Sequence, residues 1–201
     1  MAEMVNGFEF LTTLHKEVVV FGTKRSEGTE FAYDDQAREL GRMLSERKAT
    51  VITGGGPGLQ ELVSEGAFKA GGKTVGFPLH TRREFARVNP YLSTSQSFFF
   101  PFIRKLILTA PAHGFTFLPG GFGTMHHLFE LLTLQQTNKM DKTPTILYGK
   151  EFWNPLLHVI KKLASEFKTI SPADQKLISL VDSPKEVLKE LEKNPSLSKR
   201  I

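Results

Sequence analysis

Two glycine-rich segments carry the strongest chemical signal in the sequence. Each follows an apolar run and precedes an amphipathic one: Thr53-Gly-Gly-Gly-Pro-Gly58 and Pro119-Gly-Gly-Phe-Gly-Thr124. A glycine-rich turn between a strand and a helix lets backbone N–H groups approach an anion, and the positive end of the helix dipole favours negative charge there. Both segments are therefore predicted to bind a phosphate group, with the Thr124 hydroxyl as a further contact.

The spacing within these segments argues against two common nucleotide motifs. GGGPG does not match the G-x-G-x-x-G fingerprint of dinucleotide-binding proteins, and no acidic residue cleanly ends the next strand to hold a ribose. The sequence also lacks the G-x-x-x-x-G-K-[ST] motif whose lysine contacts a triphosphate. A dinucleotide ligand is therefore disfavoured, and triphosphate hydrolysis is not expected.

The chain around the two turns alternates between strand-like and helix-like patterns. Strands are predicted near 18–22, 49–56, 73–78, 114–121, 143–149 and 176–181, and helices near 33–46, 59–72, 98–110, 122–138, 152–167 and 182–193. Short connections between alternating strands and helices predict a Rossmann-like, doubly wound α/β fold, with a mainly parallel sheet covered by helices on both faces. No repeat or linker divides residues 1–201, so a single domain is expected. In such sheets the ligand lies beyond the carboxyl ends of the strands, where both glycine turns fall.

The composition is that of a globular chain and excludes several kinds of chemistry. The 201 residues include no cysteine, and the formal net charge of +5 is spread along the chain. Lack of cysteine excludes disulfides, cysteine-ligated zinc, iron–sulfur clusters and a thiol nucleophile, and it is compatible with the cytoplasmic location that we expect. Scattered basic residues, including Arg82, Arg83 and Arg87 of the polar 79–97 loop, are expected to be solvated, so no nucleic-acid partner is predicted.

Other features of the sequence receive structural interpretations. No signal peptide pattern opens the chain and no run approaches the roughly 18 apolar residues of a membrane span, so no membrane partner is expected. Adjacent histidines on a helix point about 100° apart, so His126 and His127 are not expected to chelate a metal, and no cofactor is predicted. The aromatic run 98–102 is expected in the core or at a subunit interface. Pro155 is expected in the first turn of its helix.

Three segments together resemble the LOG (LONELY GUY) family, which is often described as lysine decarboxylase-like. They are GGGPGLQE at 54–61, FIRK at 102–105 and PGGFGTMHHLFELLTLQQT at 119–137, within a resemblance that covers roughly 18–153. Members of that family are Rossmann-like and generally dimeric, with active sites near the subunit interface. The resemblance implies a phosphoribohydrolase that cleaves the N-glycosidic bond of AMP or of a cytokinin riboside monophosphate, releasing the base and ribose 5-phosphate.

The resemblance also implies roles for particular residues. Arg104 and Lys105 match an arginine–lysine pair of the family, with Arg104 a catalytic candidate. The residues implied to bind the substrate or line its 5′-phosphate site are Gly55, Gly56, Lys105, Gly120, Gly121, Gly123 and Thr124.

The chain departs from the family at a position that matters for the reaction. Cleavage of an N-glycoside passes through an oxocarbenium-like state that a carboxylate can stabilise while orienting water. The family motif PGGxGTxxE has glutamate where this chain has His127. A neutral histidine could act as a base, whereas a histidine cation would repel the transition state. Glu130 matches a further acidic position of the motif, and Glu130 or Glu61 could replace the missing carboxylate in a rearranged pocket.

These observations leave three functions open. The first is a nucleoside monophosphate phosphoribohydrolase, for which His127 and Glu130 join Arg104 as catalytic candidates. The second is a nucleotide-binding protein that retains the phosphate site without the reaction. The third is a dimeric scaffold whose pocket is vestigial.

Overall fold

A computed structural model describes residues 2–24, 33–80, 89–110 and 112–198, and the strands of that part form one parallel sheet. The sheet has the order β4-β3-β2-β1-β5-β6-β7, and each neighbouring pair is parallel. Its strands are β1 Glu17–Phe21, β2 Thr50–Thr53, β3 Thr74–Gly76, β4 Thr94–Ser95, β5 Gly114–Phe117, β6 Thr145–Tyr148 and β7 Ile178–Val181. The predicted α/β class and the parallel sheet are confirmed.

Helices cover both faces of the sheet. They are α1 Ala2–Leu11, α2 Asp34–Glu46, α3 Leu59–Lys69, α4 Pro101–Thr109, α5 Phe122–Gln136, α6 Lys150–Ser165, α7 Pro184–Leu191 and α8 Pro195–Ser198, with a 3₁₀ helix at Asp174–Leu177. Side chains of α1, α4, α5 and α6 pack on one face of the sheet, and side chains of α2, α3 and α7 pack on the other. This is the doubly wound arrangement that the sequence predicts.

The central strand β1 shows why the strands read as continuous apolar runs. Val19 and Phe21 pack into the α4–α5 side of the core, while Val18 and Val20 pack into the α2–α3 side. Successive side chains of a strand point to opposite faces, so a strand covered on both faces must be apolar at every position.

The strand order reverses between β1 and β5, and this reversal creates the site. The chain winds from β1 outward to β4, then returns to pair β5 with β1 on its other side, with Phe21 opposite Phe117. The connections leaving β1 and β5 therefore diverge to opposite faces and open a crevice at the carboxyl edge.

Several local expectations differ from the structure. Helix α1 and the short strand β4 were not predicted. Pro155 is the sixth residue of α6, so the expectation of a first-turn proline is wrong. The aromatic run is divided: Phe98 is buried in the core, as expected, whereas Phe99 and Phe102 are 68% and 64% exposed, so a subunit interface stays a prediction for them.

Two further expectations concern the surroundings of the fold. No helix in the described part of the chain is both long and apolar enough to cross a membrane. Arg82, Arg83 and Arg87 lie outside the described residues.

Candidate functional site

A cleft of about 690 Å³ lies at the carboxyl edge of the sheet, where β1 and β5 diverge. Its walls come from the turn after β1 (21–24), the end of β2, the β5–α5 turn (119–125), α4 and the start of α6. The topology thus brings together segments that are far apart in the sequence, at the place where doubly wound folds bind ligands.

The N-terminus of α5 forms one wall of the cleft and is open. Its N-cap residue, Gly121, makes no side-chain capping bond. A Cβ atom built on Gly121 or on Gly123 would meet no atom within 4 Å. Gly121 has a φ of −89°, which any residue adopts, so neither its backbone nor its neighbours require glycine. Open space in front of a helix N-terminus is what an incoming anion needs.

Gly120 and Thr124 pack against each other within the same turn. A Cβ atom on Gly120 would overlap Oγ1 of Thr124, and Thr124 is buried in the cleft wall. Gly120 therefore allows the Thr124 side chain to fold back over the turn. The structure places the four residues implied for the second turn, Gly120, Gly121, Gly123 and Thr124, in the cleft wall together.

The first glycine turn is organised differently, because protein atoms accept hydrogen bonds from its amides. The N–H of Gly54 donates to Gln60 Oε1 at 2.8 Å, and the N–H of Gly55 donates to Thr53 Oγ1 at 3.2 Å. The N–H of Leu59, the first residue of α3, donates to the Thr23 carbonyl at 3.2 Å.

Only part of this first turn reaches the cleft. Gly54 lines it, whereas Gly55 and Gly56 are not among the lining residues. Gly55 has a φ of +72° and packs closely against Phe77 and Pro78, which accounts for glycine there without a ligand.

Gln60 links the two central turns, a role that was not predicted from the sequence. Its amide Nε2 donates to the Gly22 carbonyl at 2.8 Å, while its Oε1 accepts from Gly54. Gln60 is 6% exposed and lines the cleft. It therefore fixes the ends of β1 and β2 relative to each other. A polar residue in the first turn of an otherwise apolar helix face is the signal that could have revealed it.

Arg104 enters the cleft from α4 and is held by backbone carbonyls. Its Nε donates to the Phe77 carbonyl and its Nη2 donates to the Gly54 carbonyl at 3.1 Å. Burial lowers the pKa of Arg104 to about 10, so the guanidinium remains charged at neutral pH. Partial burial, together with the Arg104 cation, also lowers the pKa of Lys24.

His127 lies at the inner end of the cleft and is 9% exposed. Its ring stacks on Phe21 with the ring centres 4.4 Å apart, and its Nδ1 is buried without a hydrogen-bond partner. Burial, with further contributions from Arg104, His126 and Lys105, lowers the pKa of His127 to about 3. The imidazole is therefore neutral at pH 7, so it does not repel a cationic transition state, and it is a weak base.

Lys105 and Glu130 lie outside the cleft, on the outer side of α4 and α5. Lys105 Nζ is 3.6 Å from Glu130 Oε1 and 3.2 Å from His126 Nε2. Glu61 is buried on α3 but does not line the cleft either. Among the described residues, no aspartate or glutamate lines the cleft. The structure thus brings Arg104 and His127 into the same cleft as the N-terminus of α5, but no carboxylate from the described residues joins them.

No cluster of three or more histidine, cysteine, aspartate or glutamate residues suited to a metal ion occurs in the part of the chain that the structure describes.

The sequence is similar to known proteins over most of its length. Residues 60–191 match a family model described as "Possible lysine decarboxylase". The chain is 30% identical over 190 residues to a probable cytokinin riboside 5′-monophosphate phosphoribohydrolase of Oryza sativa subsp. japonica, covering 94% of this chain and 75% of that protein. It is 32% identical over 178 residues to a cytokinin riboside 5′-monophosphate phosphoribohydrolase of Arabidopsis thaliana, covering 88% and 83%.

Solved structures share the fold. A molybdenum cofactor binding protein from Rippkaea orientalis superposes with a TM-score of 0.68 at 18% identity, over 89% of this chain and 96% of that one. A molybdenum cofactor carrier protein from Chlamydomonas reinhardtii gives a TM-score of 0.66 at 17% identity, over 92% and 99%. At these identities the likeness concerns the fold alone.

Proposed function

Because the chain belongs to the LOG (LONELY GUY) family of lysine decarboxylase-like proteins, we propose that it is a nucleoside 5′-monophosphate phosphoribohydrolase. Its substrate would be AMP or a cytokinin riboside monophosphate, cleaved to the free base and ribose 5-phosphate. The observation that carries the proposal is the open N-terminus of α5, which lines the same cleft as Arg104.

The cleft has a place for each part of such a substrate. The first amides of α5, at Phe122, Gly123 and Thr124, are the donors for the 5′-phosphate. His127 is three to five residues further along α5, so it lies about 5–8 Å from those amides by helical rise, which is the scale of a ribose ring. The apolar side chains of Met125 and Phe152 also line the cleft and provide a surface for the base.

The residues present supply part of the chemistry of glycoside cleavage. Arg104 is a fixed cation that can steady the phosphate or the departing base. The imidazole of His127 lines the cleft, where a ring nitrogen can serve as a hydrogen-bond partner for a ribose hydroxyl or the attacking water. Since the pKa of His127 is lowered to about 3, its neutral ring takes up a proton poorly, and we expect slow hydrolysis.

The proposed test is adenine release from AMP, followed by chromatography, with a cytokinin riboside monophosphate assayed in parallel. Arg104→Ala should abolish release, whereas Arg47→Ala, which removes an exposed arginine paired with Glu192, should not. Release by the natural protein that does not depend on Arg104 would contradict the proposed site.

A second candidate function is nucleotide binding without hydrolysis. The observation that favours it is the lack of any aspartate or glutamate among the described residues of the cleft wall. In this case AMP binds without turnover, and His127→Glu gains adenine release. A protein that binds no nucleotide at all would contradict both candidates and favour a scaffold role.

We also propose a cytoplasmic homodimer, in which α1 and α4 provide the interface. Helix α1 packs against α4, and the exposed apolar side chains of α1, of α4 and of the two residues before α4 are Val5, Phe8, Phe99, Phe100, Phe102 and Leu106. A group of exposed apolar side chains is typical of a protein interface. Light scattering after size exclusion should give a dimer for the natural chain and a monomer for Phe102→Asp, while Phe167→Asp, at an exposed site beyond α6, should remain dimeric.

A further inference from the structure

Lys24 is a second cation in the wall of the cleft. It is the third residue after β1, at the carboxyl edge of the sheet, and it lines the cleft together with Arg104 and the N-terminus of α5. Hydrogen bonds of the preceding residue fix its backbone. The N–H of Thr23 donates to the Pro119 carbonyl at 2.9 Å, and the Thr23 carbonyl accepts from the N–H of Leu59 at 3.2 Å. Lys24 therefore starts from a point tied both to the β5–α5 turn and to the start of α3.

The side chain of Lys24 runs along the first glycine turn. A Cβ atom built on Gly56 would lie 3.4 Å from Cε, 3.6 Å from Cδ and 3.8 Å from Cγ of Lys24. On the same turn, a Cβ atom built on Gly54 would overlap Nη2 of Arg104. The N–H groups of Gly54 and Gly55 already donate within the protein, so the side-chain cations beside this turn are what it offers to an anion.

The charges of these two side chains are not balanced within the described part of the chain. No aspartate or glutamate of that part lines the cleft. Burial, and then the Arg104 cation, lower the pKa of Lys24, and no carboxylate of the described residues counters them. His127 is neutral at pH 7 and adds no negative charge. Two like charges beside one turn repel each other, and an anion between them removes that repulsion.

We propose that Lys24 binds the 5′-phosphate of the ligand and makes the cleft selective for nucleotides over unphosphorylated nucleosides. This inference rests on the proposed nucleotide site. The amides of α5 orient the phosphate, and Lys24 pairs with its charge. The residue is exposed, so a ligand can reach it, and its flexible four-carbon stem lets the ammonium group adjust to the phosphate.

The test is isothermal titration calorimetry of the full chain with AMP and with adenosine, which lacks the phosphate. Lys24→Met keeps an unbranched apolar stem and removes the charge. It should raise the Kd for AMP about five- to tenfold, a loss between those of an exposed ion pair and of a charge-assisted hydrogen bond. The Kd for adenosine should not change, because adenosine has no group for Lys24 to pair with.

Two further variants show whether the charge at this position matters. Lys24→Arg keeps a cation on a long side chain and should bind AMP more tightly than Lys24→Met. Lys142→Met removes an exposed lysine shortly before β6, at the amino edge of the sheet, and should bind AMP as the natural chain does. Added salt should weaken AMP binding less in Lys24→Met than in Lys142→Met, because one charge pair with the ligand fewer is screened.

The outcomes separate this inference from the proposed function. Natural AMP affinity in Lys24→Met, or the same loss in Lys142→Met, refutes the role of Lys24 and leaves the nucleotide site standing. An equal loss of affinity for adenosine, or a Lys24→Arg variant no better than Lys24→Met, also overturns it, since the charge would then not act on the phosphate. If the natural chain binds no AMP, the proposed function fails and this inference fails with it.

Discussion

Replacing Gly123 with alanine separates what a ligand requires of the second glycine turn from what the fold requires. Gly123 is the second residue of α5, and a Cβ atom on it would meet no atom within 4 Å. Alanine is favoured over glycine in a helix by about 0.8–1.0 kcal/mol, so the free energy of unfolding should rise by up to about 1 kcal/mol. For a chain of this length, Tm should then rise by about 2–4 °C.

The same substitution should weaken AMP binding, because the new methyl group would occupy the open space in front of the α5 amides. A hydrogen bond to a charged group contributes about 1.5–3 kcal/mol. Loss of one such bond to the phosphate corresponds to a Kd raised between about tenfold and 150-fold. Stability and affinity should therefore change in opposite directions.

Thermal unfolding without nucleotide and calorimetric titration with AMP measure the two effects on the same sample. Asn154→Ala is the matched control, since it raises helix propensity at an exposed position of α6 and should leave AMP affinity unchanged. Natural affinity in Gly123→Ala would refute phosphate binding at these amides. A clear loss of stability would show that the fold itself requires glycine there.

Three other substitutions test the surroundings of the cleft. Gln60→Met keeps the side-chain shape but leaves the Gly54 N–H and the Gly22 carbonyl without partners, so the free energy of unfolding should fall by about 2–4 kcal/mol in urea titrations. The control Ser64→Ala removes one hydrogen bond within α3 and should cost less than about 1.5 kcal/mol. Equal effects of the two variants would contradict the linking role of Gln60. Gly120→Ala should destabilise the chain by about 1–3 kcal/mol in the same assay, because its Cβ overlaps Thr124, and a neutral result would contradict this packing. The pKa of His127 is lowered to about 3 in the folded chain, so the unfolded chain binds more protons between that pH and about 6.5. The contribution of His127 to the free energy of unfolding is therefore complete above pH 6.5 and falls by about 2 kcal/mol on going to pH 5. His127→Gln should flatten this part of the stability–pH curve, and an unchanged slope would show that His127 is not buried as a neutral ring.

The fold could be predicted because its determinants are local. Strands β1, β2 and β5 are buried on both faces, so each appears as a short apolar run, and the glycine turns mark where β2 and β5 give way to helices. Helix α1 was missed because its stable form depends on another element: the Glu3 carboxylate accepts hydrogen bonds from the amides of Phe99 and Phe100, just before α4. A contact between positions almost a hundred residues apart leaves no pattern in either segment.

The site could be predicted only in part, for a geometric reason. Arg104 and Lys105 are adjacent in the sequence, but neighbouring helical residues point about 100° apart. Arg104 therefore enters the cleft, while Lys105 turns outward toward Glu130. The first glycine turn could likewise not be resolved from the sequence. Its residues are adjacent, yet Gly54, whose N–H donates to Gln60, lines the cleft, whereas Gly55 and Gly56 do not.

In the proposed site, phosphate binding and glycoside cleavage would depend on different parts of α5, and this would allow one to change without the other. The proposed phosphate donors are backbone amides of the first turn, which require open space and no particular side chain. The proposed chemistry would depend on the side chain one turn further on, at His127, where burial favours a neutral group. A glutamate at this position would be stabilised as an anion by the Arg104 guanidinium, whereas the histidine is neutral. Substitution at His127 should therefore change whether a bound nucleotide is cleaved, without removing the 5′-phosphate site.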